Sequence, residues 1–166
     1  MAQWKTLLDE AIEEFEDRDY LASEYRFAAP ATSEDIARLE NTFGSGLHPD
    51  HRSMLFEFNG VAYRDKYWGP GWNPLYLSVP QILEQPEQLR DYFGGSEGPI
   101  PAVEEFHNVV FFAQKNGFGV VYALCLRGFG DFTAGQVLAL DHETGEFEFE
   151  CESLAEFVAD PANCTV

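Results

Sequence analysis

Residues 94–98, with the sequence GGSEG, match the G-x-S-x-G pattern that holds a nucleophilic serine on a sharp turn above an oxyanion hole. That chemistry needs a strand before the serine and a helix after it. Here Pro99 and Pro101 follow the motif and oppose a helix at that point. The segment is therefore predicted to be a loop, and Ser96 is not expected to act as a nucleophile.

Metal binding needs several ligands at a fixed spacing, and the histidines of this chain do not supply them. His48 and His51 flank Asp50 at the predicted start of a helix, with no third ligand close in sequence. Residues 141–146 are rich in carboxylates, but their spacing departs from the calcium-loop pattern and fits a hairpin turn. No metal or cofactor is expected, and the chain is predicted not to be an enzyme.

A binding role is indicated instead by residues 146–152, where glutamate alternates with Phe147, Phe149 and Cys151. Successive side chains of a strand point to opposite faces, so one face carries the phenylalanines and the other carries Glu146, Glu148, Glu150 and Glu152. A row of like charges is mildly unfavourable for the strand itself, which suggests that the glutamates contact a partner. The alternative is an ordinary solvated outer face of an antiparallel sheet.

Residues 59–73 form a second candidate surface, because aromatic side chains occur there among glycine, proline and charged residues. No helix or strand period runs through the segment. Interfaces take most of their binding energy from a few Trp, Tyr and Arg side chains. The segment is predicted to be a recognition loop with the contact residues Tyr63, Asp65, Tyr67, Trp68 and Trp72. The alternative is that one of the two tryptophans folds inward and closes an end of the core.

Asp131 and Phe132, in a glycine-containing segment, form a third candidate contact loop. The formal net charge of −19 indicates what could bind at such surfaces. Nucleic acids and anionic membranes attract basic proteins, so neither is expected as a partner. A basic protein is the better fit, although an acidic balance also serves solubility.

The chain of 166 residues has 45% hydrophobic residues and no repeat or proline-rich linker, so a single domain over residues 1–166 is expected. No segment has the apolar length of a membrane span, and the first residues lack the pattern of a secretory signal. Cys125, Cys151 and Cys164 form no C-x-x-C pair and are expected to be reduced thiols. The protein is predicted to be cytoplasmic.

Apolar spacing and capping residues predict five helices. They cover residues 4–20, a segment that starts at Thr32, a segment after His48-Pro49 that ends at Asn59-Gly60, a brief stretch after Ser78, and a last helix after Ser153.

Strands are predicted at residues 75–77 and in two hairpins. Residues 109–112 and 119–124 flank Asn116-Gly117, a strong hairpin signal, and residues 137–140 and 147–150 flank a second turn. The predicted fold class is α+β, with an antiparallel sheet, helices mainly in the N-terminal half and a C-terminal helix.

Four separated motifs resemble the SUKH superfamily, which includes fungal cell-wall synthesis regulators and many bacterial immunity proteins. The motifs are residues 31–36 (ATSEDI), the helix from Leu47 to Asn59-Gly60, residues 78–83 (SVPQIL) and residues 153–158 (SLAEFV). The resemblance covers roughly residues 28–160 and leaves residues 1–27 as an acidic N-terminal helix and lead-in. One departure is His48, which separates Leu47 from the proline that usually follows it in the family.

The resemblance implies a non-catalytic domain that binds protein. A bacterial immunity protein binds a toxin, often a nuclease, and an acidic inhibitor could mask the basic cleft of such an enzyme. The expected partner is therefore a basic toxin domain, bound by a monomer or weak homodimer. Two alternatives stay open: a regulatory or scaffold module in cell-envelope assembly or signalling, and a carbohydrate-binding module that stacks sugars on Trp68 and Trp72.

Overall fold

The computed structural model describes residues 3–16, 24–43, 47–64, 71–94, 103–115, 120–141 and 144–164. Within these residues the chain forms five α-helices and a seven-stranded sheet, which confirms the predicted α+β class. The helices are α1 Trp4–Glu16, α2 Ser33–Phe43, α3 Pro49–Glu57, α4 Val79–Gly94 and α5 Leu154–Ala159. The strands are β1 Glu24–Phe27, β2 Val61–Arg64, β3 Asn73–Tyr76, β4 Val109–Lys115, β5 Val120–Cys125, β6 Val137–Asp141 and β7 Phe147–Cys151. Short 3₁₀ helices lie at Val103–Asn108 and Pro161–Cys164.

The strands lie side by side in sequence order, and each neighbouring pair is antiparallel. Strands β4 and β5 form the first predicted hairpin, whose Asn116-Gly117 turn lies outside the described residues. Strands β6 and β7 form the second, and its turn is closed by a hydrogen bond of 2.8 Å from the N–H of Gly145 to the carbonyl of Asp141. This order places β1 and β7 at the two edges of the sheet.

The core is built around strand β4, whose adjacent residues Phe111 and Phe112 point to opposite faces of the sheet. The ring of Phe112 meets that of Phe157 in α5, with 5.2 Å between the ring centroids. The ring of Phe111 meets Phe106 of the first 3₁₀ helix at 5.1 Å. Both faces of the sheet are covered at β4, which explains why this part of the sequence is continuously apolar rather than alternating.

Helix α4 is longer than the sequence predicts. The pattern predicts only a brief helix after Ser78, but α4 spans Val79–Gly94. Leu89 and Phe93 are buried and continue its apolar stripe. Their burial offsets the backbone hydrogen bond that is lost at Pro86 inside the helix.

Strands β1 and β2 have no counterpart in the sequence predictions. They pair with Tyr25 opposite Tyr63 and place Val61 and Tyr63 in the core. Each strand has only four residues, which is too short a window for alternation to stand out from chance. In α1 the described helix runs to Glu16, and residues 17–20 of the predicted helix lie outside the described residues.

The predicted helix caps are confirmed at α2 and α5. The hydroxyl of Thr32 accepts a hydrogen bond from the N–H of Asp35 at 3.1 Å, and the Asp35 carboxylate accepts one from the N–H of Thr32 at 3.0 Å. This reciprocal pair is the capping box that the sequence predicts, with aspartate in place of glutamate. At α5 the hydroxyl of Ser153 accepts from the N–H of Glu156 at 3.2 Å.

Replacing Ser153 with alanine is expected to lower the free energy of unfolding by about 1 kcal/mol, because the N–H of Glu156 loses its acceptor at the start of α5. Urea denaturation of both proteins measures this difference. Ser153→Thr keeps a hydroxyl and should stay close to the wild type. An equal loss in the alanine and threonine variants would show that the hydroxyl does not stabilise the helix.

The Asn59-Gly60 pair after α3 holds three segments together. The side-chain oxygen of Asn59 accepts a hydrogen bond from the N–H of Val79 at 2.7 Å and so caps the start of α4. The N–H of Asn59 donates to the carbonyl of Ala29, and the carbonyl of Gly60 accepts from the N–H of Ala28. The sequence correctly predicts that α3 ends before this pair, and the structure shows that the pair also positions α4.

Candidate protein-binding surface

Strand β7 follows the predicted alternation of phenylalanine and glutamate from Phe147 to Phe149. A register shift against β6 then inserts one extra residue before Cys151, so the prediction that four glutamates share one face is wrong beyond Phe149. Phe147 stacks on Phe111 and also contacts the ring of Phe129, with centroids 6.3 Å and 5.7 Å apart. Phe149 lies on the same face of the strand but remains 49% exposed. Only one of the two phenylalanines is therefore covered. The glutamates at the alternate positions are exposed, namely Glu146, Glu148, Glu150 and Glu152.

The carboxylates at the junction of β7 and α5 repel one another. Partial burial raises the pKa of the Glu150 carboxyl, and the negative charges of Asp160 and Glu148 raise it further, while Lys115 lowers it. Burial also raises the pKa of the Tyr122 phenol to about 12, with a further contribution from Glu150 and Asp160. Burial is the main cause of both shifts, and the neighbouring carboxylates add a smaller repulsion that a cationic group of a partner would reduce.

The predicted contact loop with Asp131 and Phe132 packs beside the same strand. Phe129 and Phe132 exchange backbone hydrogen bonds of 3.2 Å and 2.9 Å, and their rings lie 5.3 Å apart. Phe129 in turn contacts Phe147 of β7, and Asp131 is exposed at the tip of the turn. The fold thus brings together two segments that the sequence predicts separately as contact regions.

A second link between loop and strand is made by Gln136. Its amide nitrogen donates to the Glu152 carboxylate at 3.0 Å, and its amide oxygen accepts from the N–H of Thr133 at 2.8 Å. We name this region the β7 edge surface, defined as residues 146–152 together with the loop at residues 128–133. The loop and the strand are held by ring contacts and hydrogen bonds, so the surface is largely formed before any partner binds.

Sequence reasoning missed three features at or next to this surface. Phe129 connects the loop to the strand, Asp160 adds a negative charge next to Glu150, and Phe149 is exposed rather than covered. A phenylalanine that alternates with glutamate normally indicates a buried face. Its exposure depends on the position of β7 in the sheet, and no pattern within the strand encodes that position.

The described residues of the aromatic segment at residues 59–73 lie partly in the core and partly on the surface. Tyr63 is 1% exposed in strand β2, so the prediction that it contacts a partner is corrected: its ring belongs to the core. The interpretation of the segment as a loop without strand period is wrong at Val61–Arg64 for the same reason. Three further predicted contact residues, Asp65, Tyr67 and Trp68, lie outside the described residues.

Trp72 is 41% exposed and lines a groove of about 480 Å³ with Arg26, Gly60 and Gln81. The guanidinium of Arg64 lies 5.6 Å from the centroid of the indole, and both oxygens of the Glu24 carboxylate accept from Arg64 at 2.7 Å. Strand β3, next to Trp72, is four strands from β7 in the sheet order, or roughly 19 Å at the usual strand spacing. Trp72 and the β7 edge surface are therefore separate regions.

The catalytic and metal-binding motifs do not form a site in the described part of the chain. Gly94 ends α4, and the rest of the G-x-S-x-G segment lies outside the described residues. His48 caps α3, where its Nδ1 accepts from the N–H of Asp50 at 3.3 Å, whereas His51 is fully buried. Residues that are described include no group of three metal-ligating side chains.

The fold and this surface define an α+β protein with an open antiparallel sheet and an acidic edge. None of the described helices has the length and apolar composition needed to cross a membrane. The chain matches the SMI1 / KNR4 family (SUKH-1) over residues 30–160 and belongs to that family, which confirms the predicted SUKH relationship. Proteins of this family are in general non-catalytic immunity or regulatory proteins. No curated protein is significantly similar to the chain.

Proposed function

We propose that this protein is an immunity protein that binds a basic toxin domain and masks its substrate cleft, without catalysis. The observation that carries the proposal is the β7 edge surface, which exposes glutamate carboxylates, Asp131 and about half of the Phe149 side chain. Membership of the SUKH-1 family is compatible with an immunity role. The protein would act in the cytoplasm of the cell that makes the toxin, as a single domain and as a monomer or weak dimer.

The charge of the protein supports a nuclease as the toxin. An enzyme that acts on a polyanion needs cationic side chains in its cleft, because these neutralise phosphates and release counterions. A protein with a net charge of −19 is attracted to such a cleft and associates with it rapidly at low ionic strength. The repulsion among Glu150, Glu148 and Asp160 is then relieved by the cations of the toxin.

The exposed ring of Phe149 supplies the apolar contact that charges alone do not provide. Long-range attraction raises the association rate, whereas the lifetime of a complex depends mainly on a few desolvated anchors. Phe149 lies on the face of β7 opposite to Glu148, so a partner at this edge would meet an apolar contact on one face and a charged contact on the other.

Capture of the partner from the source cell tests the proposal directly. The tagged protein is incubated with lysate and washed at low and then at high salt, and mass spectrometry identifies what each wash releases. We expect a basic toxin domain that leaves as the salt concentration rises. Capture of an envelope or signalling protein that resists salt would instead favour a regulatory module.

Charge reversal tests the proposed surface. The double variant Glu148→Lys/Glu150→Lys is expected to bind the captured toxin domain about 100-fold more weakly at low salt, mainly through slower association. Both side chains are exposed, so the melting temperature should change little. Surface plasmon resonance at two salt concentrations measures the rates.

The matched control is Glu10→Lys/Glu13→Lys on the exposed face of α1, which changes the net charge by the same amount. It should weaken binding by no more than about fivefold, because only the long-range attraction is reduced. Equal losses in the two double variants would show that total charge, rather than the β7 edge surface, determines binding. Unchanged affinity in the β7 variant would remove this strand from the interface.

A further inference from the structure

In the described part of the chain, strand β7 ends the sheet, and no other strand pairs with the outer side of its backbone. It pairs with β6 through Phe147 opposite Leu140, Glu148 opposite Ala139, and Phe149 opposite Leu138. Strand β7 stands last in the sheet order of the described residues. An open strand edge presents a row of N–H and C=O groups that can pair with another strand.

The register shows which backbone groups face the open side. The N–H of Asp141 donates to the carbonyl of Glu146, so this pair is a hydrogen-bonded one. Hydrogen-bonded and non-hydrogen-bonded pairs alternate along an antiparallel ladder, so Glu148 bonds to β6 and its neighbours do not. The N–H and C=O groups of Phe147 and Phe149 therefore point away from β6. Among the described backbone hydrogen bonds outside the ladder, none involves these two residues.

From this edge we propose that the protein binds its partner by strand addition: an antiparallel strand of the partner, with alternating basic and apolar residues, pairs with the open side of β7. The proposal deepens the proposed function and rests on it, since it names how the basic toxin would be held. The backbone hydrogen bonds would come from Phe147 and Phe149, and the side chains of β7 would select the sequence of the added strand.

The side chains of β7 match such a strand on both faces. A partner residue opposite Glu148 would form a non-hydrogen-bonded pair, in which the two side chains lie closest, so a lysine or arginine there meets the carboxylate directly. A partner residue opposite Phe149 would lie on the other face, where the half-exposed ring offers an apolar contact. A second copy of β7 would instead place glutamates near glutamates, which disfavours pairing between copies of this chain.

The opposite edge of the sheet does not offer the same match. Strand β1 carries Glu24 and Arg26, and Glu24 is already paired with Arg64. A basic strand added there would meet a mixed surface with no row of free carboxylates. Charge complementarity therefore favours β7 over β1 as the edge that accepts a basic strand.

The test uses the full-length protein and a short synthetic peptide in which lysine and valine alternate. In the proposed register the valine amides point toward β7 and the lysine amides point away. N-methylation of the valine amides should weaken binding at least about tenfold, because each hydrogen bond lost contributes about 1 kcal/mol, whereas N-methylation of the lysine amides should leave the affinity within about threefold. The two modified peptides have the same charge and composition, so they control for non-specific attraction.

Hydrogen exchange followed by NMR gives a second readout on the protein itself. Binding of the unmodified peptide should slow exchange at the amides of Phe147 and Phe149 more than tenfold, while the amide of Glu148, already bonded to β6, should change little. A slowing confined to other residues, equal affinities of the two methylated peptides, or no binding of the unmodified peptide would each overturn strand addition.

Variants of Phe149 extend the test to the toxin domain once it is captured. Phe149→Ala removes the ring and keeps the N–H, whereas Phe149→Pro removes both, and proline is tolerated where the N–H faces away from the sheet. Strand addition predicts that the proline variant binds at least about tenfold more weakly than the alanine variant.

The outcomes separate the binding mode from the proposed function. If the two variants bind alike while Glu148→Lys/Glu150→Lys still weakens capture, strand addition fails and the immunity function stands. If the peptides behave as expected but no toxin is captured, the immunity function fails and strand addition stands. The peptide experiment decides the binding mode even if the proline variant does not fold.

Discussion

Replacing Gly60 with alanine is expected to lower the free energy of unfolding by about 2–5 kcal/mol. The backbone of Gly60 has a φ of +96°, a region that residues with a Cβ rarely adopt. A Cβ at this position would lie 2.9 Å from the nitrogen of Ser78 and 3.1 Å from the carbonyl oxygen of Tyr76. These are backbone atoms of the segment that leads into α4, so relief of the clash requires the chain itself to move.

The movement would also break the cap that Asn59 provides. The side chain of Asn59 accepts from the N–H of Val79 at 2.7 Å, and this contact depends on the close approach of Gly60 to Ser78. Urea denaturation of the wild type and the variant gives the change in unfolding free energy. We expect the loss to appear as a lower midpoint with an unchanged slope.

Gly130→Ala is the matched control for backbone strain. Gly130 also has a positive φ, of +53°, but a Cβ there would meet no atom within 4 Å. The free energy of unfolding of this variant should fall by about 1 kcal/mol, because only the left-handed backbone conformation is strained. Gly71→Ala, at an open position, should be close to neutral. Equal losses of unfolding free energy in the Gly60 and Gly130 variants would show that the contact with Ser78 does not contribute to the destabilisation.

Local chemistry made much of the fold predictable. Thr32 with Asp35, and Ser153 with Glu156, satisfy backbone donors within one turn, so their types and spacing are enough to predict where α2 and α5 begin. The two C-terminal hairpins could be predicted because each pairs segments that are adjacent in sequence. Alternation within the strand was enough to place Glu148 on the face opposite Phe147 and Phe149. It did not place Glu150 and Glu152, because the register against β6 shifts by one residue after Phe149.

Features that depend on distant residues could not be predicted in this way. Tyr63 is buried because β2 lies between β1 and β3, and neither neighbour is evident from the residues around it. Phe149 is exposed because β7 is the last strand of the sheet. The contact between Phe129 and Phe147 joins a loop and a strand whose relation depends on the path of β6 between them. The candidate residues of the edge surface were thus predictable one segment at a time, whereas their assembly was not.

Acid is expected to destabilise this protein through His51. The side chain is 0% exposed in α3 and packs against the ring of Phe112, with centroids 6.0 Å apart. Neither ring nitrogen has a hydrogen-bond partner among the residues that the structure describes. Burial lowers the pKa of His51 from 6.5 to about 3, with a smaller contribution from the positive charge of His48. The folded protein therefore keeps this imidazole neutral over a range in which the unfolded chain protonates it.

The direction of the effect follows from proton linkage. Below pH 6.5 the unfolded chain binds a proton at His51 that the folded protein does not, so stability falls as the pH falls. The loss approaches about 1.4 kcal/mol per pH unit and continues until the pH reaches the folded pKa of about 3. Above pH 6.5 both states are neutral at this residue, and it contributes no pH dependence.

The comparison with His51→Leu isolates this contribution. Carboxylates also titrate in acid, and with a net charge of −19 their neutralisation relieves repulsion, so the wild-type curve alone mixes several effects. Leucine has a similar volume and no proton to gain, and it removes two buried ring nitrogens for which the described residues offer no partner. Relative to the wild type, the leucine variant should gain about 3 kcal/mol in unfolding free energy between pH 7.5 and pH 4.5.

Urea denaturation of both proteins at several pH values measures this gain, and His107→Gln, at an exposed histidine, is the control. The control removes a histidine from the surface rather than from the core, so it shows whether burial of the ring is what produces the gain. A constant difference between the wild type and the leucine variant across the whole range would contradict the mechanism. It would mean that the folded protein accepts the proton at His51, which requires either a partner for the imidazole or a local opening of α3 that lets water reach it.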